Sequence, residues 1–233
     1  MAGAGKKTFT AGEVLTASDV NTYLMEQSVM VFGGTAARSS AIPTPSEGMT
    51  SYRTDTQQIE SYDGANWIGM SGLQLIKKQT IGSGVSSVIV TNAFSATYVN
   101  YLIAVSDVQC SAANDSLSLQ LRTGSTTSTT AYNGSLPYVS YGGTVSGAAT
   151  SNGPSFNNLG RSLGAGDKIS YSFNIYAPFL ASKTMVSSLG TIGGDLTGVF
   201  SGFHNVASSY DQFVLGSGGT MTGGTIYVYG YGV

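Results

Sequence analysis

Gly160-Arg161-Ser162-Leu163-Gly164 has the Gly-x-Ser-x-Gly form of a nucleophile elbow, and Asp167 or Asp195, then His204, follow in the chain order that hydrolases of that class use. In that chemistry a strained strand-to-helix turn exposes the serine, a histidine takes its proton and a carboxylate orients the histidine. Here residues 168–176 alternate as a strand, and no α/β alternation surrounds the motif. A chain with 32 glycines and many serines produces such a match by chance. His204 is the only histidine and Cys110 the only cysteine, so a metal site within one chain is not expected. Paired carboxylates hydrolyse glycans. After residue 78, however, the acids are Asp107, Asp115, Asp167, Asp195 and Asp211, most beside turn residues where Asp serves local hydrogen bonds. The expectation is a chain with no catalytic residue, no metal and no cofactor. A glycan-degrading enzyme is the alternative, with a carboxylate pair shared between two chains as its route.

Contact chemistry is better represented. Tyr132, Tyr138 and Tyr141 lie in a stretch rich in Gly, Ser and Asn. Amphipathic rings among small polar residues suit a sugar or protein surface, and these three are the candidate surface contacts; the competing reading packs them between sheets or subunits. Cys110 ends an apolar strand pattern and reads as a buried, inert thiol. Trp67 closes a hairpin pattern and reads as a core or interchain anchor.

The background composition narrows the classes. The 233 residues are 41% hydrophobic and only 9% charged, against roughly 25% charged in an average domain. A disordered chain is poor in apolar residues and usually rich in charge, so an ordered fold with a surface of Gly, Ser, Thr, Asn and Tyr is expected. The net charge of −2 provides no positive field for nucleic acid. No apolar run is long enough to span a bilayer. Residues 1–8 carry two lysines without an apolar segment after them, so no secretory signal is read there, and a protein made in a cytoplasm, or leaving it without a signal, is expected.

Thirteen of the 22 charges fall in residues 1–78, which marks a boundary near Lys77–Lys78. Before it, Thr16 with Asp19 forms a capping-box pattern, and Val20, Leu24, Gln27 and Val31 make one stripe of a predicted helix. That stripe is too short to stand alone and must dock on its own sheet or on neighbouring copies of the chain, so Val20, Leu24, Val31 and Trp67 are the candidate oligomer contacts. Gly33–Gly34 ends the predicted helix, and Pro43 and Pro45 mark a connector. Met49–Arg53 and Gln58–Tyr62 read as strands joined at Thr54–Thr56, with a turn at Asp63–Gly64 leading to Trp67. Beyond Gln74 every signal is β. Val85–Thr91 and Tyr98–Val108 read as central strands, whereas Ser116–Arg122, Ile169–Ile175 and Thr225–Val233 alternate. Turns are read at Asn133–Gly134, Gly142–Gly143, Gly193–Gly194, Gly218–Gly219 and Gly223–Gly224. The fold class is therefore mainly β: an N-terminal short helix and small β-hairpin module, then a C-terminal antiparallel β-sandwich of jelly-roll type. The expected parts are residues 1–35, 36–72 and 73–233.

Ala11 to Leu24, continuing through Gln27–Phe32, Glu47–Met49, Tyr52, Asp55–Thr56, Tyr62–Gly64 and Trp67, resembles the opening of phage tail-fibre and minor tail proteins. Tyr98–Ile103, Leu117–Arg122 and Gly216–Gly230 look like the β-sandwich heads of phage fibres. The resemblance implies a virion location, often a homotrimer, an N-terminal part that meets other tail or virion proteins, and a head that meets a host-surface glycan or protein. The chain lacks a long heptad or triple-β shaft, so a short tail fibre or receptor-binding protein is expected, with a capsid (head) fibre or decoration protein as the alternative.

Overall fold

The computed structural model describes residues 8, 10–21, 28–70, 72–162, 164–191 and 196–231. The chain is mainly β and divides into two compact units, residues 1–72 and 73–231.

In the first unit the capping box forms. Thr16 Oγ1 accepts from Asp19 N at 3.1 Å, and the Asp19 carboxylate accepts from Thr16 N at 3.2 Å. It opens the helix α1 (Ala17–Val20). The predicted helical stripe does not reach Val31, because Met30–Phe32 is a strand, β1. Methionine, valine and phenylalanine in a row find a sheet partner there, in parallel register Val31↔Tyr52. Leu24 lies outside the described residues. Gly33–Gly34 separates β1 from a second helix, α2 (Thr35–Ala41), which the sequence reading did not mark. The predicted hairpins follow: β2 (Thr50–Arg53), β3 (Gln58–Tyr62) and β4 (Trp67–Gly69) complete a sheet of order β1-β2-β3-β4. Asp63 makes the second turn by accepting from Ala65 N at 2.8 Å and Asn66 N at 2.6 Å.

The second unit runs β5 (Leu73–Thr80), β6 (Val85–Val90), β7 (Asn100–Cys110), β8 (Ser116–Thr123), β9 (Thr126–Thr127), β10 (Tyr132–Ser140), β11 (Val145–Gly153), β12 (Phe156–Arg161), β13 (Lys168–Tyr176), β14 (Ser182–Thr191), β15 (Leu196–Ser208), β16 (Gln212–Thr222) and β17 (Thr225–Tyr231). One limb is β11-β10-β15-β14-β13-β7, which continues through β17 to β5; the other holds β6, β16, β8 and β12. The sheet curls so that the inward residues of both limbs share one core. Leu117, Leu119 and Leu121 of β8 and Phe213 and Leu215 of β16 bury with Ile103 and Val105 of β7, Phe173 and Ile175 of β13, and Ile226 and Val228 of β17. The period-2 alternation read for β8, β13 and β17 is therefore the core face. In β7 the alternation slips at Asp107 (φ 59°), after which Val108 and Cys110 point inward.

Three strand and turn readings change in this unit, and the turn read at Gly193–Gly194 lies outside the described residues. The strand at Val85–Val90 is an edge, paired among the described residues only with β16, not a central strand. Asn133–Gly134 lies inside β10 rather than in a turn, since a side chain at 134 would come within 2.6 Å of the Phe200 ring on the next strand. Gly218–Gly219 lies inside β16, where the backbone wraps a buried carboxylate.

Candidate functional site

That carboxylate is Asp115, only 6% exposed. It accepts from Ser217 Oγ, from Gly218 N at 2.8 Å and from Gly219 N at 3.0 Å. A Cβ at 218 would stand 2.9 Å from Asp115 Oδ1, so the two glycines let the chain close on the acid. Ser162 completes the clamp from the other side. It is fully buried, donates from Oγ to the Ala112 carbonyl at 2.8 Å and accepts from Asp115 N at 3.0 Å. The hydroxyl of the Gly-x-Ser-x-Gly match is thus committed to joining the β7–β8 connection to the end of β12. Its glycines are equally structural. The Tyr171 ring lies 3.0 Å from where a Cβ of Gly160 would stand, and Asp167 accepts from Gly164 N at 2.7 Å. Asp195 lies outside the described residues.

His204 has other partners. It is fully buried against the Tyr132 ring, centroids 4.4 Å apart. Nε2 donates to the Thr130 carbonyl at 3.0 Å and lies 2.9 Å from Ser128 Oγ, while Nδ1 accepts from Tyr210 OH at 3.2 Å. This network assigns the neutral Nε2–H tautomer. Burial pulls the imidazole pKa below its ordinary value. The neutral ring therefore contributes its full stability above the unfolded-state pKa of about 6.5 and loses it as pH falls from there towards the lower folded value. We expect thermal stability to fall between pH 7.5 and 5, with the His204→Gln variant losing less over that interval. An equal loss in both proteins, followed by circular dichroism, would contradict this assignment.

Tyr132 is corrected as a contact residue. It is fully buried, accepts from Leu121 N at 2.7 Å and donates to the Ser128 carbonyl at 3.2 Å. It sits at an even position of β10, the face that also turns Leu136 inward, so it packs the core. Burial raises its phenol to about 12. Tyr138, on the same face near the strand end, is half-buried and borders a shallow groove of about 300 Å³ with Pro137, Val139, Val145, Thr197, Gly198 and Val199. Tyr141, at the β10–β11 turn, is 66% exposed. A second groove, of about 390 Å³, is polar and uncharged, lined by Ser116, Ser118, Asn157, Asn158, Ser217 and Gly218. Cys110 is fully buried, which raises its thiol to about 11.

The first unit carries a centre that sequence reasoning missed. Arg38 of α2 and Glu60 of β3 form an ion pair, 5% and 2% exposed. Arg53 donates to Glu60 at 3.1 Å and makes two hydrogen bonds to Asp55, at 2.7 and 3.1 Å, which holds the exposed Asp55 carboxyl below its usual range. The Arg38 guanidinium lies 4.6 Å from the centroid of the Trp67 ring, which also meets Tyr62 at 5.5 Å. Trp67 is half-buried as the lid of this pair. Among the described residues of the unit, the buried ones are Arg38, Ser51, Glu60 and Gly69; none is hydrophobic. The opposite face of the sheet carries Val31, Tyr52 and Ile59 in one cross-strand row, with Val31 65% and Ile59 46% exposed. Val20 is half-buried.

No cluster of three or more His, Cys, Asp or Glu that could hold a metal occurs among the described residues, and none of their helices is long and apolar enough to cross a membrane. No family model matches the chain, and no curated protein matches it. Among solved structures, the VP2 subviral particle of infectious bursal disease virus aligns over 82% of this chain and 42% of that one, at 13% identity and a TM-score of 0.16. The Gx strain of infectious bursal disease virus aligns over 82% and 46%, at 12% identity and a TM-score of 0.13. The chain spans less than half the length of either, and scores this low carry no argument about its function.

Proposed function

We propose that this chain is a structural protein of a virus particle, a short bacteriophage tail fibre or receptor-binding protein that works as a homotrimer. The observation that carries the reading is the first unit: a four-stranded sheet with no buried hydrophobic side chain among its described residues and an apolar row on its open face. Such a sheet has little reserve alone. Copies of the chain that bring these faces together bury Val31 and Ile59 and give the unit an apolar core that its described residues do not form. The choice of three copies rests on the resemblance of residues 11–67 to fibre openings. In this reading the first unit also meets other virion proteins, and the β head meets a host-surface glycan or protein, with Tyr141 and the groove beside Tyr138 as the contact region. The chain acts by attachment and not by catalysis, a reading supported by the structural commitments of Ser162 and His204.

Val31→Asp puts a charge into the apolar row. We expect it to reduce a trimer to single chains in sedimentation velocity while the head keeps its thermal transition. An unchanged sedimentation coefficient would remove this face from the interface. Antibody labelling of intact particles separates a tail position from a capsid fibre or decoration role.

A further inference from the structure

A sheet edge exposes a row of unpaired N–H and C=O groups, and proteins guard such edges with charge, proline or bulges. Strand β11 is hydrogen-bonded to β10 and to no other strand among the described residues, and it ends one limb of the sheet. Its nine residues, Val-Ser-Gly-Ala-Ala-Thr-Ser-Asn-Gly, include no charge and no proline. Its register with β10 runs without interruption from Val145 to Thr150. The other end of the limb differs in charge: β5 carries Lys77 and Lys78, while each edge strand shifts register once, β11 between Thr150 and Gly153 and β5 opposite Val228–Tyr229.

We infer that the free edge of β11 pairs antiparallel with β11 of a second copy of this chain about a two-fold axis. Charge selects that occupant. In a two-fold contact each side chain near the axis meets its own copy, so any charge there meets a like charge. From Thr123 to Gly160, 38 residues, the chain has no Asp, Glu, Lys or Arg. The guarded β5 edge, by contrast, is a poor partner for β11. Small side chains from Ser146 to Ser151 let two backbones approach, and Val145, 77% exposed beside Val139 and Val199, extends the apolar groove across the junction. A single edge pairing is small and therefore weak. Between two trimers that share the two-fold axes the pairing repeats for each chain and becomes multivalent.

The test uses the full chain. Light scattering on the wild type should show mass doubling with concentration above its basal assembly. Ala149→Lys should abolish that twofold rise and leave the basal mass and the melting curve unchanged. Because Cys110 is buried, Ala149→Cys supplies the one accessible thiol; oxidised glutathione should then link chains in pairs, and Ser135→Cys, one strand inward, should not link them. A wild-type mass independent of concentration, an unaffected Lys variant, or equal cross-linking from position 135 would overturn the pairing. These outcomes are separate from the Val31 interface, which sets the basal mass.

Discussion

Glu60→Ala unfolds the first unit and leaves the head folded: that is the largest expected effect. The substitution strands Arg38, 5% exposed, without its counter-charge. Breaking a buried pair by removing one partner costs about 3–5 kcal/mol, because the remaining charge is buried unpaired. A unit whose described residues bury no hydrophobic side chain has no such reserve. The chain contains a single tryptophan, Trp67, against the Arg38 guanidinium, so its fluorescence reports this unit alone. We expect the emission to shift to the red in Glu60→Ala while far-UV circular dichroism keeps the β signal of residues 73–231. Replacing both partners, Arg38→Met with Glu60→Leu, should restore the native emission, since an apolar pair of similar volume often equals or exceeds a buried ion pair. Native emission in the single variant would show that the pair does not hold the unit together.

The second large effect belongs to Asp115. Alanine there removes the acceptor for Ser217 Oγ and for the amides of Gly218 and Gly219. Unsatisfied buried donors cost about 1–3 kcal/mol each, and water reaches part of this partly buried site, so a total of about 2–4 kcal/mol is expected. For a unit of this size that lowers the melting temperature by roughly 4–16 °C. Asp115→Asn keeps one oxygen acceptor and should fall between the two. Ser162→Ala should also destabilise, by the loss of the Ala112 and Asp115 backbone bonds, as a structural serine does and as a nucleophile freed from its site would not. A melting curve of Asp115→Ala that overlays the wild type would deny the clamp.

Much of the β architecture was legible. Alternation in 116–122, 169–175 and 225–231 placed the core faces because one face of each strand is buried and a period of two is then forced. The capping box at Thr16 and the turn at Asp63 form because their hydrogen bonds are local. Long-range partners were not legible. Val31 reads as helical until the parallel partner Tyr52, 21 positions away, is known. Asn133–Gly134 reads as a turn until Phe200 is placed against it. Tyr132 and Tyr138 share a composition, and only the register of β10 decides that the first is core and the second borders a groove. The Arg38–Glu60 pair had a faint signal, a lone arginine within the small-residue run Thr35–Ala41. Nothing local tied it to an acid 22 residues on.

The central claim is that the first unit is completed by other copies of the chain. The mass of the full-length protein by light scattering, followed down a dilution series, tests it most directly. The account predicts that the dilute limit is three chain masses, retained by Ala149→Lys and lost by Val31→Asp. A single chain mass at every concentration, with native Trp67 emission, would contradict it, because the first unit would then be stable with its apolar row in water.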